Sequence, residues 1–354
     1  MSSPAGSTGR PRLLWIVVAA VVAAALIALG VVLGTSNSGG KPAASGHSST
    51  APTTNPGGGT QQNAKAGPPV PAHGAYVGAW VKATPLNQQT RVSAVAQFEQ
   101  KLGRPLDFVH TYRRWNEPFP EPSDLTFIRK GQYLQLSWAG TNDQAIISGQ
   151  EDNVIRQRAI AVKKLHAPIF MEWRWEMDRP GIAGTVGTPA DYIAAWKHIR
   201  AIFAREGVHN AAWVWCPTAL GFLQGRAPAS YPGDNQVDWI CVDAYPGKTL
   251  TPMSQLLAPF LQWAAQHPKP IMIGEYGVPR SGSPQQRAQW LRAATTTFQN
   301  TPRIKAVSYF EANPAGHAST LAYVIANDPA AIGAFRTMAQ EPYFNPRHYP
   351  ITPR

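Results

Sequence analysis

The sequence predicts an α/β protein, a (β/α)8 TIM barrel standing behind an apolar N-terminal segment and a polar linker. Three observations carry this reading. Beyond Gly74, eight short apolar, β-rich runs alternate with longer segments of helical period. The runs are continuously apolar rather than half-polar, as strands buried on both faces of a parallel sheet must be. The 280 residues from position 75 to 354 come close to the ~250 typical of such a barrel.

The eight predicted strands are 75–81, 106–112, 133–138, 168–176, 211–216, 237–245, 270–275 and 306–311. Several segments between them carry helix grammar. Thr188-Pro189-Ala190-Asp191 reads as an N-cap with proline at the first helical position. Ile193, Trp196, Ile199, Ile202 and Phe203 follow at helical spacing, with Gly207 as the C-terminal stop. Ser283-Pro284 opens another helix, with Trp290 and Leu291 on its buried side, and Asp328-Pro329 opens a third. No internal repeat is present. No Gly-rich turn follows the first strand, which argues against an open doubly wound sheet.

The first 74 residues have a different character. Residues 13–34 form an uncharged run of 22 residues, able to span about 30 Å of hydrocarbon. Arg10 and Arg12 precede it, so the N-terminus should stay in the cytoplasm. The run is long for a cleaved signal peptide, and no convincing small-x-small site closes it. The expected organisation is a cytoplasmic tail (1–12), a transmembrane signal anchor (13–34), a disordered Gly/Ser/Thr/Pro linker (35–74) and an extracellular barrel (75–354). Cleavage of the anchor would release the barrel as a secreted protein. At ~5–6 Å times the square root of its length, the linker would average about 35 Å end to end.

Charge and cysteines bound the function without deciding it. The net charge is +12, of which Arg10, Arg12, Lys41 and Lys65 supply four, leaving +8 on the folded part. Those basic residues are scattered and no nucleic-acid motif accompanies them, so a nucleic-acid partner is not expected. Two cysteines, Cys216 and Cys241, are either one bridge in an oxidising compartment or two buried thiols.

In a barrel of this class the chemistry sits at the C-terminal ends of the strands. Those ends carry Trp80, Tyr112 with Arg113 and Arg114, Trp138, Glu176, Trp215, Tyr245, Glu275 and Glu311. No histidine, cysteine and carboxylate set has metal-ligand spacing, and neither a nucleophile elbow nor a phosphate-binding loop occurs in the folded part. No metal or cofactor is expected. What remains is paired carboxylates ringed by aromatic residues. Glycosidic bond cleavage needs this combination: one carboxyl protonates the leaving oxygen, another attacks or positions water, and aromatic faces stack on sugar rings.

The segment Phe170-Met171-Glu172-Trp173-Arg174-Trp175-Glu176-Met177-Asp178 resembles the strand-four motif of glycoside hydrolase family 26, the β-mannanase and β-glucanase relatives of clan A. Ile271-Met272-Ile273-Gly274-Glu275-Tyr276-Gly277 is similar to the family's strand-seven motif. Trp213-Val214-Trp215-Cys216-Pro217, Gln135-Leu136-Ser137-Trp138, and Tyr231-Pro232-Gly233-Asp234 through Val237-Asp238-Trp239 to Asp243-Ala244-Tyr245 agree in order along the chain. The resemblance implies that Glu176 is the acid/base, that Glu275 is the nucleophile and that Tyr245 touches it. Three positions depart. Trp175 stands where the family has histidine before the acid/base, and Asp178 where it has asparagine after the methionine. Glu172 replaces the arginine four residues before the acid/base, and its partner is expected to be Arg174 or the Arg113–Arg114 pair.

The resulting expectation is a monomeric, retaining endo-β-glycanase acting on a polysaccharide outside the cytoplasm. Glu176 and Glu275 are its catalytic residues, and Trp80, Arg113, Trp138, Trp175, Trp215, Tyr245 and Tyr276 contact substrate. Trp173 is expected in the core and Glu172 in a structural role. Glu311 either lines the cleft or is a structural acid at the end of strand eight. The competing readings are a non-catalytic carbohydrate-binding protein on the same fold, or a clan A hydrolase acting on a cell-envelope or exopolysaccharide glycan.

Overall fold

Eight parallel strands close on themselves in sequence order, β1 beside β8, in the computed structural model, which describes residues 67–180, 186–313 and 322–352. The strands are β1 Tyr76–Val81, β2 Phe108–Arg113, β3 Tyr133–Trp138, β4 Ile169–Trp173, β5 Ala211–Trp215, β6 Trp239–Ala244, β7 Ile271–Tyr276 and β8 Ile304–Glu311. Around them run α1 Gln88–Leu102, α2 Pro122–Arg129, α3 Asp143–Ile147, α4 Asp152–Lys163, α5 Pro189–Arg205, α6 Ala219–Leu223, α7 Met253–Ala264, α8 Pro284–Gln299 and α9 Pro329–Gln340. The barrel is the expected one, and all eight strands lie where the apolar runs placed them. The largest difference is β4, which stops at Trp173 instead of Glu176. Arg174 and Glu176 adopt left-handed backbone (φ 47° and 53°), so extended pairing cannot continue through them.

The helix starts follow the capping chemistry of the sequence. Thr188 and Ser283 each accept from the backbone N–H three residues on, while Asp191 and Gln286 return the bond, and a proline occupies the first turn of both helices. Asp328 caps α9 through Ala330 N and Ala331 N. Gly207, at φ 71°, turns the chain out of α5 as expected.

Strand alternation divides the apolar residues into two clusters. One fills the barrel interior with Tyr76, Phe108, Phe170, Ala212, Val214, Trp239, Met272 and Ala306. The other lies between strands and helices, where Trp173 stacks on Tyr192 (5.1 Å, 12°) and Phe98 meets Phe335 (5.9 Å). Trp173 is therefore a core residue, as expected.

Two further points bear on the sequence reading. The apolar segment 13–34 lies outside the described residues, and among those described no helix is long and apolar enough to cross a membrane. Residues 67–74, assigned above to the linker, pack on the floor of the barrel. Pro68 and Pro71 are buried, Val70 joins the interior cluster, Tyr76 Oη donates to Pro69 O (2.9 Å), and Lys305 Nζ donates to Ala72 O (3.3 Å). Gly67 sits so close to Ala212 that a Cβ there would lie 2.4 Å from the alanine's own. A chain beginning at Ala75 should thus be less stable than one beginning at Gly67 by ~2 kcal/mol, the scale of a buried valine-sized side chain and a hydrogen bond. Denaturant midpoints compare them, and equal midpoints would show that the floor segment adds nothing.

Candidate active site

The acid that ends β4 owes its position to the turn that breaks the strand. Arg174 N donates to Trp138 O (2.9 Å) and Glu176 N to Cys216 O (2.8 Å), so the turn stays wedged between β3 and β5. The Glu176 side chain is partly exposed, and Arg179 Nη1 donates to its Oε2 at 2.7 Å. Arg174 itself faces away, toward Asp143 at 3.4 Å and the Thr141 carbonyl.

Glu275 reaches the interior through a break in alternation. Ile271 and Ile273 face the helices, so a regular strand would send residue 275 the same way. The register with β6 instead passes from Val242↔Ile273 to Asp243↔Glu275, one extra residue on β7, and the register with β8 shifts over the same stretch. This bulge turns Glu275 inward beside Asp243. There Tyr112 Oη donates to Oε1 (2.5 Å) and Tyr245 Oη to Oε2 (2.6 Å). One carboxylate oxygen from each of Glu176, Asp243 and Glu275 lies within 4.8 Å of the others. Three such oxygens could hold a cation, but Tyr112, Tyr245 and Arg179 already bond to the two glutamates.

Burial raises the pKa of Glu176 and of Glu275 to about 7. For Glu176 the charge of Glu275 is the next cause, and Arg179 opposes both. For Glu275 the two tyrosine hydroxyls pull the other way, because they hydrogen-bond to the anion. The pair titrates as a unit. The acid with two O–H donors is the better place for its negative charge, and Glu176 the better place for its proton. Asp243 is raised well above the ordinary range by burial and then by Glu275 and Glu176, so its surroundings disfavour the charged form. Its Oδ1 lies 3.2 Å from Cys216 Sγ, and its Oδ2 has no hydrogen-bond partner among the described residues.

One layer lower lies Glu172, fully inside the barrel. It accepts from Ser137 Oγ and from Gln135 Nε2 (3.1 Å), with His110 Nε2 at 3.7 Å. The expected partners are thus corrected: Arg174 pairs with Asp143, and Arg114 is exposed beside Glu117. Arg113 points outward to Asp124 (2.5 Å) and Glu121 (2.9 Å). Burial raises Glu172 to about 7 and lowers His110 to about 3, so His110 is a neutral ring.

The proposed sugar-contacting residues divide by strand parity. Trp80 and Trp175 stand over the pocket, each 5.0 Å from the Tyr112 ring, and Tyr245 bonds to Glu275. Trp138, Trp215, Tyr276 and Arg113 do not reach it. Trp138 lies flat on Trp115 (4.1 Å, 2°), and Trp215 is enclosed by Phe222, Tyr231 and Trp263. Tyr276 packs against Phe298 and Tyr309. All four occupy the outward phase of their strands, directly after an inward residue, so reading the strand end without its phase misplaced them. Glu311 is structural: it accepts Ile325 N and Ala326 N, both at 2.9 Å.

The sequence reading gave no site role to Tyr112, Arg179, Asp243 or Tyr323, whose ring lies 4.6 Å from that of Tyr245. Tyr112 and Asp243 were legible, the first in phase with His110 and the second two residues before Tyr245. Arg179 and Tyr323 carry no sequence signal, since loops bring them in. Cys216 and Cys241 are joined in a disulfide, which decides between the two alternatives left open above.

No profile of a known protein family matches the chain. It is 27% identical over 282 residues to endoglucanase H of Acetivibrio thermocellus, a match covering 74% of this chain and 30% of that protein. Among solved structures it resembles the catalytic domain of the GH26 endo-β-1,4-mannanase of Bacillus sp. JAMB-750 (TM-score 0.60, 17% identity), over 77% of this chain and 88% of that one. A GH26 β-mannanase from Bacteroides ovatus is similar over 77% and 90%, with TM-score 0.57 and 13% identity. At these identities the likeness to the mannanases is one of fold, a (β/α)8 barrel similar to theirs, which is the fold the strand-four and strand-seven motifs implied.

Proposed function

We propose that the protein is a retaining glycoside hydrolase acting on β-linked polysaccharide of the glucan or mannan type, with Glu275 as nucleophile and Glu176 as acid/base. The observation that carries this is the close approach of the two carboxylates, one oxygen of each lying within 4.8 Å of the other's. Retaining pairs stand ~5–5.5 Å apart, whereas inverting pairs leave ~6.5–9.5 Å for a water. Glu275 would attack the anomeric carbon as its bond to the leaving oxygen breaks and Glu176 gives that oxygen its proton. Water then attacks the same carbon, losing a proton to Glu176 and releasing Glu275. Trp80, Trp175 and Tyr323 supply aromatic surface around the reacting sugar. Asp178 accepts from Thr218 N (3.0 Å) and Oγ1 (2.8 Å), so this departure from the family motif is held in place by hydrogen bonds, and its charge adds to the causes that raise the Glu176 pKa.

The location is part of the same proposal. The apolar run 13–34 behind two arginines favours a membrane anchor with the barrel outside, acting as a monomer. The buried disulfide fits an oxidising compartment. Full-length protein should fractionate with membranes and be accessible to added protease only from the outer side. Recovery in the soluble cytoplasmic fraction would sink this part.

Glu275→Ala should abolish turnover of every β-glycan and aryl β-glycoside. Glu176→Ala should cost ~10²–10⁴-fold on natural linkages and much less for the first step on an activated aryl glycoside, which needs no protonation. Proton NMR of the first-formed product should show retained anomeric configuration; an inverted product would exclude the nucleophile assignment. A folded wild-type protein that binds β-glycans without releasing reducing ends would point to the carbohydrate-binding reading.

The pH profile of kcat/KM should be a bell, its acid limb reporting ionisation of the pair and its basic limb loss of the Glu176 proton. Arg179→Ala removes a cation that lowers the Glu176 pKa, so the basic limb should move to higher pH. An unmoved or acid-shifted limb would mean that the basic limb belongs to another group.

Stability should vary with pH for the same reason. Glu172, Glu176, Glu275 and Glu311 are each raised from 4.5 to about 7, first by burial. The folded state then holds more protons than the unfolded one, so their contribution is complete below about pH 4.5 and is lost as pH rises through 7. Urea midpoints should fall between pH 5 and pH 8, and fall less in Glu172→Gln.

A further inference from the structure

Beneath the two glutamates lies a bond that the reaction scheme does not use. Cys216, the first residue after β5, and Cys241, in β6, are disulfide-bonded inside the barrel, both essentially without exposure. They belong to the interior apolar cluster with Phe170, Val214, Trp239 and Met272.

Four contacts connect this bond to the site. The Cys216 carbonyl accepts the Glu176 N–H at 2.8 Å, across the residue whose left-handed backbone must be held from outside. Cys216 Sγ lies 3.2 Å from Asp243 Oδ1. A carboxylate oxygen of Glu172 and both sulfurs fall within 4.8 Å of one another. A Cβ on Gly274 would stand 2.5 Å from Cys241 Sγ and 2.6 Å from Cys216 Sγ, so the bulged strand can pass over the sulfurs only with glycine before Glu275.

We propose that the Cys216–Cys241 disulfide is a positioning element of the catalytic pair, holding the backbone of Glu176 and forming the dry floor on which the Gly274–Glu275 bulge rests. The proposal rests on the functional reading above. Its physical content is twofold. The bond fixes the end of β5 to β6, and with it the carbonyl that receives Glu176. The sulfurs also fill the space between Glu172 and Asp243, where water would otherwise solvate the acids overhead. The groups facing Glu176 are Glu275 from β7, Asp243 from β6, Glu172 from β4, Arg179 and Asp178 from its own turn, and Tyr323 from the segment after β8. Admitting water among them weakens desolvation, the first cause of the raised Glu176 pKa, and should lower that pKa.

The test compares full-length wild-type protein with Cys216→Ala/Cys241→Ala. Phe98→Leu, which loosens the distant α1–α9 contact, serves as a control for lost stability. The cysteine pair should lower kcat by about 10–100-fold, the scale of a small misplacement of reacting groups, with KM within about twofold of wild type. Its basic pH limb should move to lower pH, while Phe98→Leu changes only the melting temperature. A carbon-13 carboxyl titration, with Glu176 assigned from Glu176→Gln, reads the same shift without turnover. If wild type cleaves no glycan, the functional reading fails and the titration still decides the positioning claim. A cysteine-pair variant that melts earlier but keeps kcat, pH limbs and the Glu176 titration would overturn the proposal. Should the alanine pair not fold, Cys216→Ser/Cys241→Ser, which removes the cross-link and puts hydroxyls in place of the apolar sulfurs, carries the same comparison.

Discussion

A closed barrel of eight strands admits every second side chain to its interior, and the site is built around a local breach of that rule. On β7, Ile271 and Ile273 face the helices, and the bulge at Gly274 turns Glu275 inward, where strict alternation would have buried it against α8 and α9. The rest of the site follows from that inversion. Tyr112 on β2 and Tyr245 directly after β6 can both reach one carboxylate because it stands at the axis, not at the wall. Asp243 comes level with it through the shifted register. Gly274 has no side chain because the disulfide below leaves no room for one.

Concentrating acids at the axis has an electrostatic consequence. Glu172, Asp243 and Glu275 are nearly inaccessible, and ionising all of them in such surroundings would be very unfavourable. The interior responds by neutralising some and solvating others with fixed donors. Glu172 has Ser137 and Gln135, Glu275 has two phenols, and Asp243, whose Oδ2 has no hydrogen bond among the described residues, is pushed toward its neutral form. A carboxyl that keeps its proton near pH 7 beside one that gives it up is what acid-assisted attack on a glycosidic bond requires.

The outer shell holds this arrangement still. Trp138 on Trp115, Trp173 on Tyr192 and Trp215 among Phe222, Tyr231 and Trp263 form rigid aromatic contacts between strands and helices. Trp138 and Trp215, expected to contact substrate, therefore serve packing, and the pocket itself relies on Trp80, Trp175 and tyrosines. Arg113 likewise links β2 to Asp124 and Glu121 at the start of α2.

The sequence by itself determined the barrel, because eight doubly buried strands need uninterrupted apolar runs and their helices need caps, and both are local properties. It also singled out Glu176, Glu275 and Tyr245, which the fold brings together, since strand ends and family-like motifs are contiguous stretches of chain. It did not determine which strand-end side chains turn inward: Trp138, Trp215, Tyr276 and Arg113 were assigned to the site although all four face the helices. Phase depends on where each strand begins and on bulges, and those are set by pairing with neighbours. The donors on Glu176, the partners of Glu172, the disulfide and the packing of residues 67–74 on the barrel floor were decided only in the tertiary structure. Each joins parts of the chain whose proximity no local pattern encodes, and the burial that shifts every acid in the site exists only once the barrel has closed.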